Sequence, residues 1–127
     1  MSGGILARKK ILIVEDEKNI ARAEGLILGK EHDIHYAEDG EIAMHKAEEI
    51  LPDVIILDLM LPKRGGYDVC FSLRQHDILK NSKIIMVTAK NQPIDKAKGM
   101  FIGADHYITK PFQPEELREA VRKVLDD

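Results

Sequence analysis

The sequence is poor in cysteine and contains no long apolar segment. Cys70 is the one cysteine among 127 residues, so an internal disulfide is excluded, which fits a reducing compartment. No apolar run approaches the roughly 20 residues that cross a bilayer, and the opening MSGGILA lacks the apolar region of a signal peptide. We therefore expect a cytoplasmic protein without a membrane partner. Residues 1–7 are predicted to form a flexible N-terminal tail, and residues 8–127 a single domain.

The chain also lacks a strong charge of either sign. The formal net charge is −3 at pH 7, which favours neither a nucleic acid nor an anionic membrane as a direct partner. An apolar fraction of 44% is enough for one core in a chain of this length. The histidines show no metal-ligand spacing, and all five are expected on the surface: His32, His35, His45, His76 and His106.

Short runs rich in β-branched residues recur along the chain and are predicted to be strands. In order, they are KILIVE (10–15), DIHYAE (33–38), VIILD (54–58), KIIMVTA (83–89) and HYITKP (106–111). The first, third and fourth runs are almost continuously apolar, as is typical of strands buried on both faces of a parallel sheet. The second alternates and indicates a half-exposed strand.

Between and after these runs, apolar residues recur at helical spacing. The residues that mark the five helices are Ile20, Ala23 and Ile27; Ile42, Ala43, Ala47 and Ile50; Val69, Cys70 and Leu73; Ile94, Ala97 and Phe101; and Leu117, Val121 and Val124. A strand followed by a helix, repeated five times, predicts an α/β fold. We expect a (βα)5 three-layer sandwich, with a parallel sheet, right-handed crossovers and helices on both faces.

Polar residues stand at the carboxyl ends of four of the five predicted strands. Glu15 and Asp16 end the first strand, Asp58 the third, Thr88 the fourth and Lys110 the fifth. Taken singly, each has an ordinary explanation, such as a helix cap for Asp16 or a surface position for Lys110. Because ligands of open parallel sheets bind beyond the carboxyl ends of the strands, their coincidence predicts one shared site.

Three converging carboxylates need a proton or a cation to remain together. Two of them about 4 Å apart repel by roughly 4 kcal/mol at an effective dielectric constant near 20. The available donors are all oxygens, which favours a hard ion such as Mg²⁺ over zinc. With a lysine and a threonine nearby, such a site suits phosphoryl transfer, and Asp58 is predicted to be the nucleophile that forms an aspartyl phosphate.

The same residues, in this order, resemble the receiver domain of two-component response regulators. The matching segments are ILIVEDE, VIILDLMLPKRGGYDV, IIMVTA and GADHYITKPF. The resemblance extends from about residue 9 to residue 125 and implies a response-regulator receiver domain over residues 8–127. It further implies a five-stranded parallel sheet of order 2-1-3-4-5, the flavodoxin-like (CheY-like) arrangement.

The resemblance also implies a phosphorelay role for this phosphoprotein. Asp58 would accept a phosphoryl group from a sensor histidine kinase or a histidine phosphotransfer protein in a Mg²⁺-dependent reaction. Asp16 and Asp58 would bind the ion directly, Glu15 through water, and Met60 through its backbone carbonyl. The domain would not be an enzyme in the usual sense, but would promote its own phosphorylation and slow dephosphorylation.

The remaining implied roles concern the response to phosphorylation. Lys110, joined to Pro111 by a cis bond, would pair with the phosphoryl oxygens, and Thr88 would move to hydrogen-bond one of them. Tyr107 would turn inward, although a partly exposed strand aromatic is the alternative interpretation. The surface of the fourth helix, fifth strand and fifth helix would then engage an effector domain or target protein, or pair two copies as a homodimer.

Several positions depart from the family pattern. Glu15 stands where many members have aspartate, and Gly65 replaces a commonly polar residue, which predicts a looser loop. Ala120 replaces an expected basic residue, so the salt bridges of the implied dimer are incomplete. Met60 and Lys90 occupy the positions that set phosphoryl lifetime. Because the Met60 side chain cannot hydrogen-bond an attacking water, we expect slow self-hydrolysis.

Three rival interpretations have weaker support in the sequence. A Mg²⁺-dependent aspartate-nucleophile phosphatase of the haloacid dehalogenase type needs an acid two residues after the nucleophile, where this chain has Met60. A flavodoxin-like cofactor binder needs a phosphate cradle that the sequence does not supply. A non-phosphorylated, receiver-like docking module would have no need of the complete set of site residues.

Overall fold

The computed structural model describes residues 8–126, and the predicted tail, residues 1–7, lies outside them, as does residue 127. Five parallel strands form one sheet of order β2-β1-β3-β4-β5, which confirms the predicted class and topology. In chain order the elements are β1 Lys10–Val14, α1 Lys18–Leu28, β2 Asp33–Ala37, α2 Gly40–Ile50, β3 Val54–Leu57, α3 Gly66–Gln75, β4 Lys83–Thr88, α4 Pro93–Ile102, β5 His106–Thr109 and α5 Pro114–Asp126.

Each face of the sheet carries its own core, because alternate residues of a strand point in opposite directions. On β1, Leu12 and Val14 join the core that includes buried residues of α2 and α3. Ile11 and Ile13 join the core that includes residues of α1 and α5. This places the helices on both sides of the sheet, as the predicted three-layer sandwich requires. No helix within residues 8–126 is both long enough and apolar enough to cross a membrane.

Strand register brings the carboxyl ends of the central strands level with one another. Val14 pairs with Leu57, and Leu57 pairs with Met86. The side chains that follow these residues therefore emerge at one edge of the sheet.

Two helices present faces to the core that differ from the predicted ones. The buried residues of α1 are Ala21, Glu24, Gly25 and Leu28, whereas Ala23 is exposed and Ile20 and Ile27 are half-buried. On α4 the apolar marks point outward, since Ile94 is 72% and Phe101 92% exposed. The apolar spacing correctly predicted that these segments are helices, but it was wrong about which of their residues are buried.

His32 also departs from its predicted place on the surface, because it is 7% exposed. Its Nδ1 accepts a hydrogen bond from the Lys9 backbone N–H at 3.3 Å. Burial lowers the pKa of His32, with a further lowering by the nearby Arg8 guanidinium that acidic neighbours oppose. A neutral ring can keep Nδ1 as an acceptor, so burial and the hydrogen bond are mutually consistent.

Glu24 places a carboxyl group inside the core against the sheet. The residue is 1% exposed, and neither carboxyl oxygen has a hydrogen-bond partner among the described residues. The pKa of Glu24 is raised to about 8, mainly by burial. The negative charges of Glu15 and Asp58 add to this increase, and the positive charge of Lys110 opposes it. Glu24 is therefore predominantly protonated and uncharged at neutral pH.

The loop between β3 and α3 is shaped by two glycines with different surroundings. Gly66 is buried and donates its backbone N–H to the Leu59 carbonyl at 3.0 Å. A Cβ at Gly66 would lie 2.3 Å from the Asp58 carbonyl oxygen, so the backbone there requires glycine. Gly65 is the N-cap of α3 and makes no side-chain cap. A Cβ at Gly65 would be 3.8 Å from its nearest neighbour, so other residues fit there.

We predict that Glu24 makes the stability of the fold depend on pH. The native carboxyl has a pKa of about 8 against an ordinary value of 4.5, so between these pH values the folded chain keeps a proton that the unfolded chain releases. The free energy of unfolding should therefore fall by up to roughly 1.4 kcal/mol per pH unit over this range and level off above it. Urea denaturation of wild type and Glu24→Gln from about pH 5 to pH 9 measures this slope as their difference. Glu49→Gln, on an exposed face of α2, is the control, and parallel wild-type and Glu24→Gln profiles would contradict the prediction.

A second prediction compares the two glycines. Gly66→Ala is expected to lower the free energy of unfolding by roughly 1–3 kcal/mol, because its Cβ must displace the backbone at Asp58. Gly65→Ala should change it by less than about 1 kcal/mol, since that position has room and an ordinary φ of −68°. Urea denaturation midpoints of the two variants test the difference. Equal losses would show that the contact with the Asp58 carbonyl is not what requires Gly66.

Candidate functional site

The predicted site residues meet at the carboxyl edge of the sheet. The Asp58 backbone N–H donates to the Val14 carbonyl at 3.1 Å, which sets Asp58 beside the end of β1. On the other side of β4, the Lys110 N–H donates to the Thr88 carbonyl at 2.8 Å. Strand pairing of the backbone therefore delivers side chains from distant parts of the sequence to one place.

Three carboxylates converge there as the sequence predicts. Glu15, Asp16 and Asp58 each offer an oxygen, and these oxygens all lie within 4.8 Å of one another. Glu15 and Asp58 are buried, whereas Asp16 is exposed. Carboxylate oxygens without imidazole or thiolate fit a hard divalent cation, so this cluster could hold Mg²⁺. The described structure thus supports an ion site by the chemistry and spacing of its donors.

Lys110 neutralises two of these acids directly. Its Nζ donates to Glu15 Oε1 at 2.7 Å and to Asp58 Oδ2 at 3.2 Å. Burial lowers the pKa of Lys110, but the hydrogen bond to Glu15 and the charge of Asp58 more than offset it, and the pKa is raised overall. The ammonium is therefore firmly protonated. The bond from Lys110 to Pro111 is cis, as the resemblance implied.

Glu15 takes part in more contacts than the sequence indicated. Besides Lys110, its carboxylate accepts the Glu17 backbone N–H at 3.2 Å. Burial raises the pKa of Glu15, and the charge of Asp58 raises it further, whereas the bonds from Lys110 and Glu17 lower it. The short contact with Lys110 was not predicted, because the resemblance paired that lysine only with the phosphoryl oxygens.

Asp58 has both carboxylate oxygens engaged by donors. Oδ1 accepts the Met60 backbone N–H at 3.1 Å, and Oδ2 accepts from Lys110. These two bonds fix the rotation of the carboxylate. The Met60 side chain is 59% exposed, so it does not cover the acid. The proposed role of the Met60 carbonyl as a metal ligand stays a prediction.

Thr88 and Tyr107 both contact the backbone of Lys90, just beyond β4. Thr88 is fully buried, and its Oγ1 accepts the Lys90 N–H at 3.3 Å. Tyr107 is 8% exposed and donates its hydroxyl to the Lys90 carbonyl at 2.8 Å. Burial raises the pKa of Tyr107 to about 12. The alternative of a partly exposed aromatic is therefore wrong in this structure, and the shared contact with Lys90 had no signal in the sequence.

Comparison with known proteins assigns the chain to a family. The model of the response regulator receiver domain matches residues 11–122. The transcriptional regulatory protein PhoP for alkaline phosphatase synthesis in Bacillus subtilis is 45% identical over 118 residues, covering 92% of this chain and 48% of PhoP. Protein PilG of Pseudomonas aeruginosa is 37% identical over 114 residues, covering 89% of this chain and 84% of PilG.

A solved structure agrees with this assignment. The chemotaxis protein CheY4 of Vibrio cholerae superposes with a TM-score of 0.87 at 31% identity, covering 93% of this chain and 99% of that one. This chain spans about half the length of PhoP. Fold, site and similarity agree, and the chain belongs to the family of response regulator receiver domains.

Proposed function

We propose that this receiver domain accepts a phosphoryl group on Asp58. The observation that carries the proposal is the buried Asp58 carboxylate, held by Lys110 and the Met60 N–H beside two further acids. In the reaction, a carboxylate oxygen of Asp58 attacks the phosphorus of a phosphohistidine. The P–N bond breaks, the imidazole leaves, and an aspartyl phosphate forms.

The surrounding residues have distinct parts in this reaction. Asp16 and Asp58 would hold Mg²⁺ directly, Glu15 through water and Met60 through its carbonyl. Bound Mg²⁺ supplies positive charge that offsets the charge on the transferring group. Lys110 adds a second positive charge, and its present bonds to both buried acids show how near it lies to the reacting carboxylate.

The response to phosphorylation is proposed to pass through the backbone at Lys90. At present the Thr88 hydroxyl accepts a hydrogen bond from the Lys90 N–H. A phosphoryl oxygen on Asp58 would draw the hydroxyl away from this N–H. Tyr107, already turned inward and bound to the Lys90 carbonyl, would hold that segment in its new position. The surface of α4, β5 and α5 would change as a result.

The proposed partners follow from this role in two-component signalling. The phosphoryl donor would be a sensor histidine kinase or a histidine phosphotransfer protein in the cytoplasm. The surface of α4, β5 and α5 would engage an effector domain or a target protein, or a second phosphorylated copy. We propose no direct contact of this domain with nucleic acid.

Phosphorylation of Asp58 can be tested with a small-molecule donor. Incubation with acetyl phosphate and Mg²⁺ should add the mass of one phosphoryl group to the wild-type chain in intact-mass spectra. Asp58→Asn should lose this gain because the amide is not a competent nucleophile. Asp77→Asn, an exposed substitution away from the site, should keep it. Omission of Mg²⁺ should slow the gain at least tenfold.

The rival interpretations give other results in the same experiment. Release of phosphate from many phosphate esters over multiple turnovers would favour the phosphatase. No mass gain with any donor, in the presence of Mg²⁺, would favour the non-phosphorylated docking module.

We also predict a long-lived aspartyl phosphate. Met60 is exposed next to Asp58, and its thioether cannot orient a water for attack on phosphorus. Met60→Asn should shorten the half-life of the phosphorylated chain several-fold, whereas Met60→Leu should leave it nearly unchanged. Loss of the added mass after removal of acetyl phosphate measures both half-lives. A wild-type half-life as short as that of Met60→Asn would contradict the prediction.

A further inference from the structure

α4 has little apolar surface against the rest of the protein. Gly99 is the one buried residue of this helix, and Ile94 and Phe101 point into solvent. A Cβ at Gly99 would lie 2.8 Å from Met86 Sδ, so the helix approaches the sheet closely there, and Ile102 at its end packs against the core only in part. Because so few contacts fix α4, its position depends strongly on each of them.

Two tyrosine hydroxyls hold the backbone where α4 begins. Tyr107 on β5 donates to the Lys90 carbonyl just before the helix, and Tyr67 on α3 donates to the Asp95 carbonyl in its first turn at 3.0 Å. Lys98 Nζ lies 4.4 Å from the centroid of the Tyr67 ring, a favourable cation–π geometry. Tyr67 therefore contacts α4 at two positions one turn apart.

Tyr67 directly follows Gly66, the residue at which α3 contacts the backbone of Asp58 and Leu59. Its neighbour Gly66 has no room for a Cβ, which would meet the Asp58 carbonyl oxygen at 2.3 Å and the Leu59 Cα at 2.6 Å. Gly66 is also bonded to the Leu59 carbonyl. A displacement of the chain at residues 58–59 must therefore move the first turn of α3, and Tyr67 with it.

We propose that Tyr67 is a positioning residue that couples the Asp58 loop to α4 through its hydroxyl bond to Asp95 and its ring contact with Lys98. This connection is separate from the one through Thr88 and Tyr107, because it starts from the backbone of residues 58–59 and not from the Thr88 hydroxyl. The proposal rests on the phosphoacceptor function and adds a second contact through which the state of Asp58 reaches α4.

Amide hydrogen exchange of α4 tests the coupling in two states of the protein. Tyr67→Phe keeps the ring and removes the hydroxyl, so exchange in the first two turns of α4 should rise roughly two- to tenfold at rest. The change in α4 exchange that Mg²⁺ and beryllofluoride produce in wild type should fall at least twofold in the variant. Tyr36→Phe, on the opposite edge of the sheet, is the matched control and should behave as wild type.

Substitutions of Lys98 examine the second contact. Lys98→Gln should weaken the α4 response as Tyr67→Phe does, and Lys98→Arg should restore it because a guanidinium also binds an aromatic face. Faster exchange at rest with an undiminished response would assign Tyr67 a merely structural part and overturn the proposal.

The outcomes also separate this inference from the function on which it rests. Intact mass with acetyl phosphate should show the same phosphoryl gain in Tyr67→Phe as in wild type. A normal gain with an unaltered α4 response overturns the coupling alone. Absence of both the gain and the α4 response in wild type overturns the phosphoacceptor function and the coupling together.

Discussion

The site depends on one shared ammonium group. Lys110 Nζ lies 2.7 Å from Glu15 Oε1 and 3.2 Å from Asp58 Oδ2, and both acids are buried. Two buried carboxylates side by side would otherwise favour protonation of one of them, since their repulsion is poorly screened there. The Lys110 ammonium therefore offsets the charge of both acids at once, and it places a positive charge against the carboxylate that is proposed to react. The order of the sheet allows Lys110 to reach Asp58, because only β4 separates the end of β5 from the end of β3.

The molecule combines a tightly packed sheet with one lightly attached helix. β1, β3 and β4 are buried almost throughout and carry the site residues at their ends. α4 is different, since Gly99 is its one buried residue, Ile94 and Phe101 face solvent, and two tyrosine hydroxyls bind the backbone at its start. A rigid frame keeps the reacting groups in place, and a helix with few contacts is the element that small changes at the site displace most easily. The proposed chemistry therefore lies on the more stable part of the protein, the sheet, and the proposed response on the less stable part, α4.

The fold and the convergence of the acids were predictable from the sequence, because they follow from where the strands lie and where they end. Apolar runs located the strands, and polar residues directly after them identified the converging set around Asp58. The buried face of α4 was not predictable in this way, because Gly99 packs closely without contributing apolar spacing. The ring positions of Tyr67 and Tyr107 depend on backbone carbonyls, which have no signature in the sequence. An apolar pattern identifies large apolar residues, whereas a helix can also pack against a sheet through a small residue such as Gly99.

Glu24 completes the electrostatic balance around the site. It lies in the α1 core close enough for the charges of Glu15, Asp58 and Lys110 to affect its pKa, yet it has no hydrogen-bond donor of its own among the described residues. An ionised Glu24 would add a further buried negative charge near two acids that already share one lysine. Protonation of Glu24 removes that charge, so the single ammonium has to offset only the acids at the sheet edge. The neutral carboxyl of Glu24 and the charged ammonium of Lys110 therefore both follow from the cost of burying unpaired charge.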